Sequence, residues 1–472
     1  MRSRQLLHCF LQCTVLTAVG CWSAFADSIP TDPGVRTAPT DNGPPLPMPG
    51  LGQDELSFFD DGLARFNTIE VVNGALPGQG NGLGPRFNSY SCGSCHSQPY
   101  TGGSSPASNP LIAIATADGA ANEIPWFIAA NGPIREARFV QSNGARDGGV
   151  HNLFVVSGRA DAGNCNLQQP GFTPAGNPLT GRGGNPNIVF RIPTPTLGAG
   201  LIEAIPDTQI LANLAANAAA NSQFGVRGHA NAILGGNTNL SANDGTITRF
   251  GWKAQNKSLL MFAGEAYNVE MGISNQLFPQ ERDSTASCRT YATTPEDDDN
   301  FIMSSSSAPT AVLSDIEAFA NFMRMLAPPA PAAATPATVS GQASFVSVGC
   351  AACHTPSFTS GAAIASGSSR SPSPSMSGQT VNLYSDLIVH HMGQGLADGI
   401  TQGSAGPDEF RTAPLWGLGQ RVFFLHDGRT SDLMVAIQAH SSTGSEANIV
   451  IQRFIALHPT QQQNILDFLR SL

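Results

Sequence analysis

Hydrophobic and polar positions divide the chain into one apolar run at its start, a few helical stripes, and long tracts with neither pattern. Residues 6–25 are mostly apolar and follow Arg2 and Arg4, and Ala24-Phe25-Ala26 supplies the small residues of a cleavage site. Residues 1–26 are therefore expected to be a secretory signal peptide. No later run is apolar for long enough to span a bilayer. Residues 54–66 put Leu56, Phe59, Leu63 and Phe66 on one helical stripe. Residues 314–326 predict a second amphipathic helix, which Pro328, Pro329 and Pro331 terminate. An Ala-rich helix is expected over 202–219 and a shorter one over 430–440. Between 97 and 250 the apolar runs are short (111–114, 153–156 and 188–192), and Gly, Asn and Pro crowd between them. That pattern predicts short strands and loops. Three segments read as connections: Pro-rich 27–53 as an extended arm, 328–338 as a linker, and Ser/Gly-rich 359–377 as a surface loop.

A weak internal repeat runs through this pattern. Gly62-x-x-x-Phe66 recurs as Gly341-x-x-x-Phe345, and Asn321-Phe322-Met323-Arg324-Met325-Leu326 recurs as Asp467-Phe468-Leu469-Arg470-Ser471-Leu472. Each pair brackets a C-x-x-C-H motif, Cys92/Cys95/His96 in one case and Cys350/Cys353/His354 in the other. A helix entering such a motif, with a terminal helix packed across it, makes one cytochrome c-type unit. The expected fold is mainly α: two cytochrome c-type domains, with a large irregular β-containing insertion in the first. The N-terminal domain with its insertion is expected over 54–327 and the C-terminal domain over 339–472.

In C-x-x-C-H the thiols add to the vinyl groups of a haem and the histidine reaches its iron. Cys92, Cys95, Cys350 and Cys353 are thus expected to carry two covalently bound c-type haems, with His96 and His354 as proximal iron ligands. A zinc site would need further ligands at metal-site spacing beside each pair, and none stands out. Haem attachment of this kind takes place outside the cytoplasm, in agreement with a signal peptide and a periplasmic location. Ala18-Val19-Gly20-Cys21 loosely resembles a lipobox, and a lipid on Cys21 would tether the protein to a membrane. Cys165 and Cys288 are then left over, and in an oxidising compartment they are expected to pair. Without Arg2 and Arg4, 22 basic residues face 34 acidic ones, which argues against a nucleic-acid partner.

The stretch Phe410-Arg411-Thr412-Ala413-Pro414-Leu415, continuing through Phe424-Leu425-His426-Asp427-Gly428-Arg429, resembles the C-terminal haem domain of bacterial dihaem cytochrome c peroxidases. It also resembles their relatives that mature tryptophylquinone cofactors. Gly82-Leu83-Gly84-Pro85-Arg86-Phe87, Gly200-Leu201-Ile202-Glu203-Ala204-Ile205-Pro206, Arg249-Phe250-Gly251-Trp252-Lys253-Ala254 and Tyr384-Ser385-Asp386-Leu387 leading to His390-His391-Met392-Gly393 extend the likeness. In that order they cover most of the chain from about residue 55, and the whole is similar to the dihaem oxidoreductase family.

The resemblance implies a peroxidase-type enzyme in which the C-terminal haem passes electrons to the N-terminal one. An electron-donor protein such as a small cytochrome or a cupredoxin would feed it, and peroxide or another small oxidant would be reduced. Asn268-Val269-Glu270-Met271-Gly272 resembles the phrase holding the peroxidases' catalytic glutamate, which implies Glu270 as acid/base over the N-terminal haem. Phe262 stands where those peroxidases have a glutamine, a departure that points to weak or altered peroxidase activity. His440 falls near their methionine ligand and is the implied distal iron ligand of the haem at His354, with Met392 as its rival. His426 and His390 are expected to support propionates or orient neighbours, and His151 is the histidine nearest after the first motif. Trp126, Trp252 and Trp416 are candidates for a place between the haems. Two other readings stay open: an electron carrier with both irons six-coordinate, and a dihaem enzyme oxidising a protein or an organic substrate.

Overall fold

The computed structural model describes residues 29–36, 44–73, 80–141, 144–172, 188–232, 247–288, 296–297, 299–303, 309–361 and 374–472. The expected signal segment, Cys21 and residues 362–373 of the Ser/Gly-rich insert lie outside them. The α-helices are α1 (Gln53–Asn67), α2 (Cys92–Cys95), α3 (Leu111–Ala115), α4 (Ala199–Glu203), α5 (Asp207–Ser222), α6 (Leu259–Met271), α7 (Asp315–Met325), α8 (Pro336–Val348), α9 (Leu433–Gln438), α10 (Asn448–Ile455) and α11 (Pro459–Ser471). Strands are short and form one three-stranded and five two-stranded sheets. No helix among the described residues is long and apolar enough to cross a membrane.

Two helix crossings carry the sequence repeat. Gly62 of α1 sits so close to α7 that a Cβ there would run into the Ala318 carbonyl and Phe322. Gly341 of α8 meets α11 in the same way, against the Asn464 carbonyl and Phe468. The phenylalanine one turn on closes each crossing. Phe66 packs on Phe322 with ring centroids 4.9 Å apart, and Phe345 on Phe468 at 5.5 Å. Each also approaches its motif histidine, Phe66–His96 at 6.0 Å and Phe345–His354 at 6.1 Å. The repeated residues are therefore those that bring two helices together beside a C-x-x-C-H turn.

Local chemistry explains where elements begin and end. Ser314 and Glu317 form a reciprocal capping box that starts α7, whose residues are almost all buried. The helix expected over 202–219 is instead two helices, α4 and α5. Pro206 lacks an N–H and disfavours helical backbone before it, so the helix breaks there and restarts at Asp207. Residues 111–114, expected as a strand, form α3, because Pro110 opens the turn and the Asn109 side chain accepts from Leu111 N at 3.1 Å. The other two apolar runs of that region do contain strands, at Phe154–Val155 and Ile188–Arg191. The helix expected over 430–440 is shorter than its pattern, since Asp432 caps α9 and delays its start.

The arm is pinned at both ends of its described length. Asp32 pairs with Arg470 of α11 at 2.6 Å, and Met48 N donates to Met325 O at 2.7 Å. A buried ion pair locks the helices around the first motif: Arg324 of α7 meets Glu203 of α4 at 2.7 Å, and Glu203 also accepts from Leu259 N at the start of α6. Cys165 and Cys288 form a disulfide that joins positions 123 residues apart.

Candidate functional site

Each motif opens onto its own cavity. At the first, Ser91 caps the single turn of α2, and His96 N donates back to Cys92 O at 3.0 Å. Cys92, Cys95 and His96 line a cavity with about 1200 Å³ of space between its walls, counting the part open to solvent. The groups facing it, two thiols and an imidazole, are the donor set that a covalently held haem requires. The His96 ring bonds through Nδ1 to the Gly103 carbonyl at 3.1 Å. Burial lowers its pKa to about 4, so the imidazole is neutral, the form that binds metal. Burial also raises the Cys92 thiol and pushes Cys95 up to about 12.

Glu270 enters this cavity from the last turn of α6. Gly272, with φ of 72°, caps that helix in a left-handed conformation closed to most side chains. The Asn88 and Ser89 amides grip the Glu270 carbonyl at 2.7 and 3.1 Å, and Asn88 Nδ2 donates to Glu270 Oε2 at 2.8 Å. The segment entering the motif thus positions the glutamate. Burial first, and then Glu136, raise the Glu270 pKa to about 8. Phe262, one of the cavity walls, stands about two turns before Glu270 on α6, its ring centroid 6.4 Å from that of Phe250. Apart from His96, no histidine lines this cavity among the described residues; His151 is turned to the Gly148 carbonyl instead.

The second cavity differs in kind. Gly349, with φ of 107°, ends α8 against Phe224 and turns the chain into Cys350. Cys350, Cys353, His354, His440 and Met392 all line it. His354 Nδ1 bonds the Tyr384 carbonyl at 2.9 Å and His440 Nδ1 the Ala436 carbonyl at 2.8 Å. Such bonds fix the tautomer and leave Nε2 for a metal, the usual outer-shell arrangement of a ligating histidine. Burial lowers both pKa values, His354 to about 4, so both rings are neutral.

His390 lines the same cavity, but Asp386 takes its Nε2 and Glu446 its Nδ1, both at 2.9 Å. Both of its ring nitrogens are thus engaged by carboxylates. Burial alone would lower its pKa; the adjacent Cys353 and Asp386 drive it well above the ordinary histidine value. His426 is stacked on Phe410 with centroids 4.3 Å apart, and Lys253 lies 4.2 Å above the other ring of that pair, Phe410.

One residue belongs to both cavities. Trp252 lines each of them and donates through Nε1 to the Ile192 carbonyl at 2.8 Å. Of the other two candidate tryptophans, Trp126 is 40% exposed and lines neither cavity, and Trp416 packs in the core against Gly198. Sequence reading missed Glu136, Arg138, Glu265 and Arg191, which also line the first cavity. They come from α6 and from strands Glu136–Phe139 and Ile188–Arg191, whose pairing sets Glu136 opposite Arg191. The one local signal was the Glu136-Ala137-Arg138 alternation, which puts both charges on one face of a strand.

The family described as "Di-haem oxidoreductase, putative peroxidase" matches residues 185–472, and the chain belongs to this family. Membership implies two haems and an oxidoreductase. The matched region includes Trp252, Glu270, the second motif and His440, while the first motif and Glu136 precede it. No curated protein matches the chain. Among solved structures, a chain of Kuenenia stuttgartiensis hydrazine synthase pressurised with 20 bar xenon is similar at 19% identity, with a TM-score of 0.22. That likeness covers 35% of this chain and 59% of the other.

Proposed function

We propose that the chain is an exported dihaem c-type cytochrome oxidoreductase of peroxidase type. Cys92 and Cys95 would hold one haem with His96 on its iron, and Cys350 and Cys353 the other between His354 and His440. The observation that carries this reading is the asymmetry of the two cavities. One presents two neutral histidines with Nδ1 anchored to carbonyls; the other presents a single histidine and a proton-bearing carboxyl. When bound, the haems would supply one-electron storage at the second site and a reactive iron at the first.

The remaining work falls to this chain's side chains. Glu270, held by Asn88, would in its carboxylate form accept a proton from peroxide and return it to the departing oxygen. Trp252, which lines both cavities, would lie on the route of electrons between them. A small cytochrome or cupredoxin in the periplasm would feed the second site.

Electron paramagnetic resonance of the half-reduced protein, followed by mixing with hydrogen peroxide, tests the reading. One high-spin haem is expected to react quickly, and Glu270→Gln to slow it by roughly 10²-fold or more. The carrier reading draws on Met271 and Met323, which line the first cavity and offer thioethers to an iron. Two low-spin haems inert to peroxide would establish that reading instead.

A further inference from the structure

Reducing peroxide to two waters consumes two electrons, which the donor protein brings, and two protons, which must come from solvent. Glu270 alone can move a proton between the two oxygens of one peroxide, but it lies inside the cavity. Its carboxyl has two hydrogen-bond partners, the Asn88 amide and the Glu136 carboxyl. Asn88 is committed as donor to Glu270 and as acceptor from Leu153 N at 2.6 Å, and an amide of that kind does not exchange protons at neutral pH. Glu136 is the titratable partner. Its side chain is 24% exposed, so it touches both Glu270 and water. Arg138 Nη1 donates to Glu136 Oε1 at 2.8 Å, and Asp147 holds Arg138 from the far side at 3.0 Å, so the Glu136 carboxyl cannot swing away.

We propose that Glu136 is the proton entry residue of the first cavity, taking protons from solvent and passing them to Glu270; this rests on the peroxidase reading of Glu270. Two carboxyl groups in hydrogen-bond contact require a proton between them, since two carboxylates repel. The cycle balances. Glu270 gives its proton to the departing oxygen and becomes a carboxylate. Glu136 takes a proton from water and transfers it across the shared hydrogen bond, restoring the acid form of Glu270, and a second passage supplies the second proton. The other charged groups facing the pair are themselves engaged. Glu265 accepts from Asn256 Nδ2 at 2.5 Å, Arg191 pairs with Asp398 at 2.7 Å, and Arg282 donates to the Val150 carbonyl while drawing the Glu270 pKa down against burial.

The test uses the haem-loaded full-length protein. Glu136→Gln keeps size and hydrogen bonding but cannot relay, so peroxide turnover is expected to fall at least tenfold, with an enlarged solvent deuterium isotope effect. Added formate, a small acid able to enter in place of the carboxyl, should restore much of the loss, and Glu136→Asp should retain most of the rate. Infrared titration of the protonated-carboxyl band gives a readout independent of turnover. The Glu270 band is expected to titrate at lower pH in Glu136→Gln and to vanish in Glu270→Gln. Wild-type turnover and isotope effect in Glu136→Gln, or a loss that neither formate nor Asp repairs, would overturn the proposal while leaving Glu270 in its role. Full turnover in Glu270→Gln would sink the peroxidase reading and the relay with it.

Discussion

Hydrogen bonding at Nδ1 distinguishes the histidines proposed as iron ligands from a supporting one. His96, His354 and His440 each spend Nδ1 on a backbone carbonyl, whereas His390 has both nitrogens in ion pairs. His440→Met should therefore leave the second haem low-spin with one sulfur ligand and raise its reduction potential, read by near-infrared spectroscopy and redox titration. The same change at His390 is expected to alter neither ligand signature. Glu270 carries a pH prediction. Burial holds its pKa near 8, so it is protonated at neutral pH, and a step in which it accepts a proton gains rate as pH rises toward that value. The pH–rate profile should lose that limb in Glu270→Gln. Local phrases alone singled out Glu270, in the last turn of α6, and His440, just beyond the end of α9. They did not single out Glu136, since its partner is 134 residues away and only strand pairing and cavity closure bring the two carboxyls together.

Helix crossings rather than helix stripes explain the repeated phrases. Gly62 and Gly341 mark places where backbone meets backbone, so Gly62→Ala and Gly341→Ala should each cost about 1–3 kcal/mol through overpacking, measured by thermal unfolding. Glu203→Gln removes one partner of a buried pair and strands Arg324, a change expected to cost about 3–5 kcal/mol and to loosen α6 beneath Glu270. An amphipathic stripe announced α1 because one of its faces meets the core, and a like stripe announced α7 although nearly all of its residues are buried. The elements that departed from pattern did so at single residues: Pro206 divides α4 from α5, and Asn109 with Pro110 turns an apolar run into α3. Hydrophobicity alone does not register such breaks, since they are set by backbone hydrogen bonds.

At the scale of the whole molecule, two of the long-range ties among the described residues carry predictions. The Cys165–Cys288 bond closes a loop of 123 residues, and by the chain-entropy account its reduction should cost about 4–5 kcal/mol, checked by urea unfolding with and without reductant. Asp32 on the arm is buried, which raises its pKa, but Arg470 and the Gly34 and Leu433 amides more than offset this and leave it below the ordinary value. The sign follows: a carboxylate with a depressed folded-state pKa stabilises the fold above its unfolded pKa, and that contribution disappears as the pH falls through the folded value. Asp32→Asn should flatten this acid limb in a stability-against-pH series.

The sequence by itself determined the two C-x-x-C-H sites, the helices that enter and cross them, and the pairing of the two remaining cysteines. Those features depend on neighbours within a few turns, or on how few thiols there are to pair. The family resemblance already implied two unequal sites, and only the tertiary structure supplied the geometry of that difference. It closed one cavity with two anchored histidines, gave the other a buried carboxyl in contact with a second, and put Trp252 in the wall between them. The physical reason is that burial and long-range strand pairing set proton affinity and solvent access, and neither is encoded in any one segment.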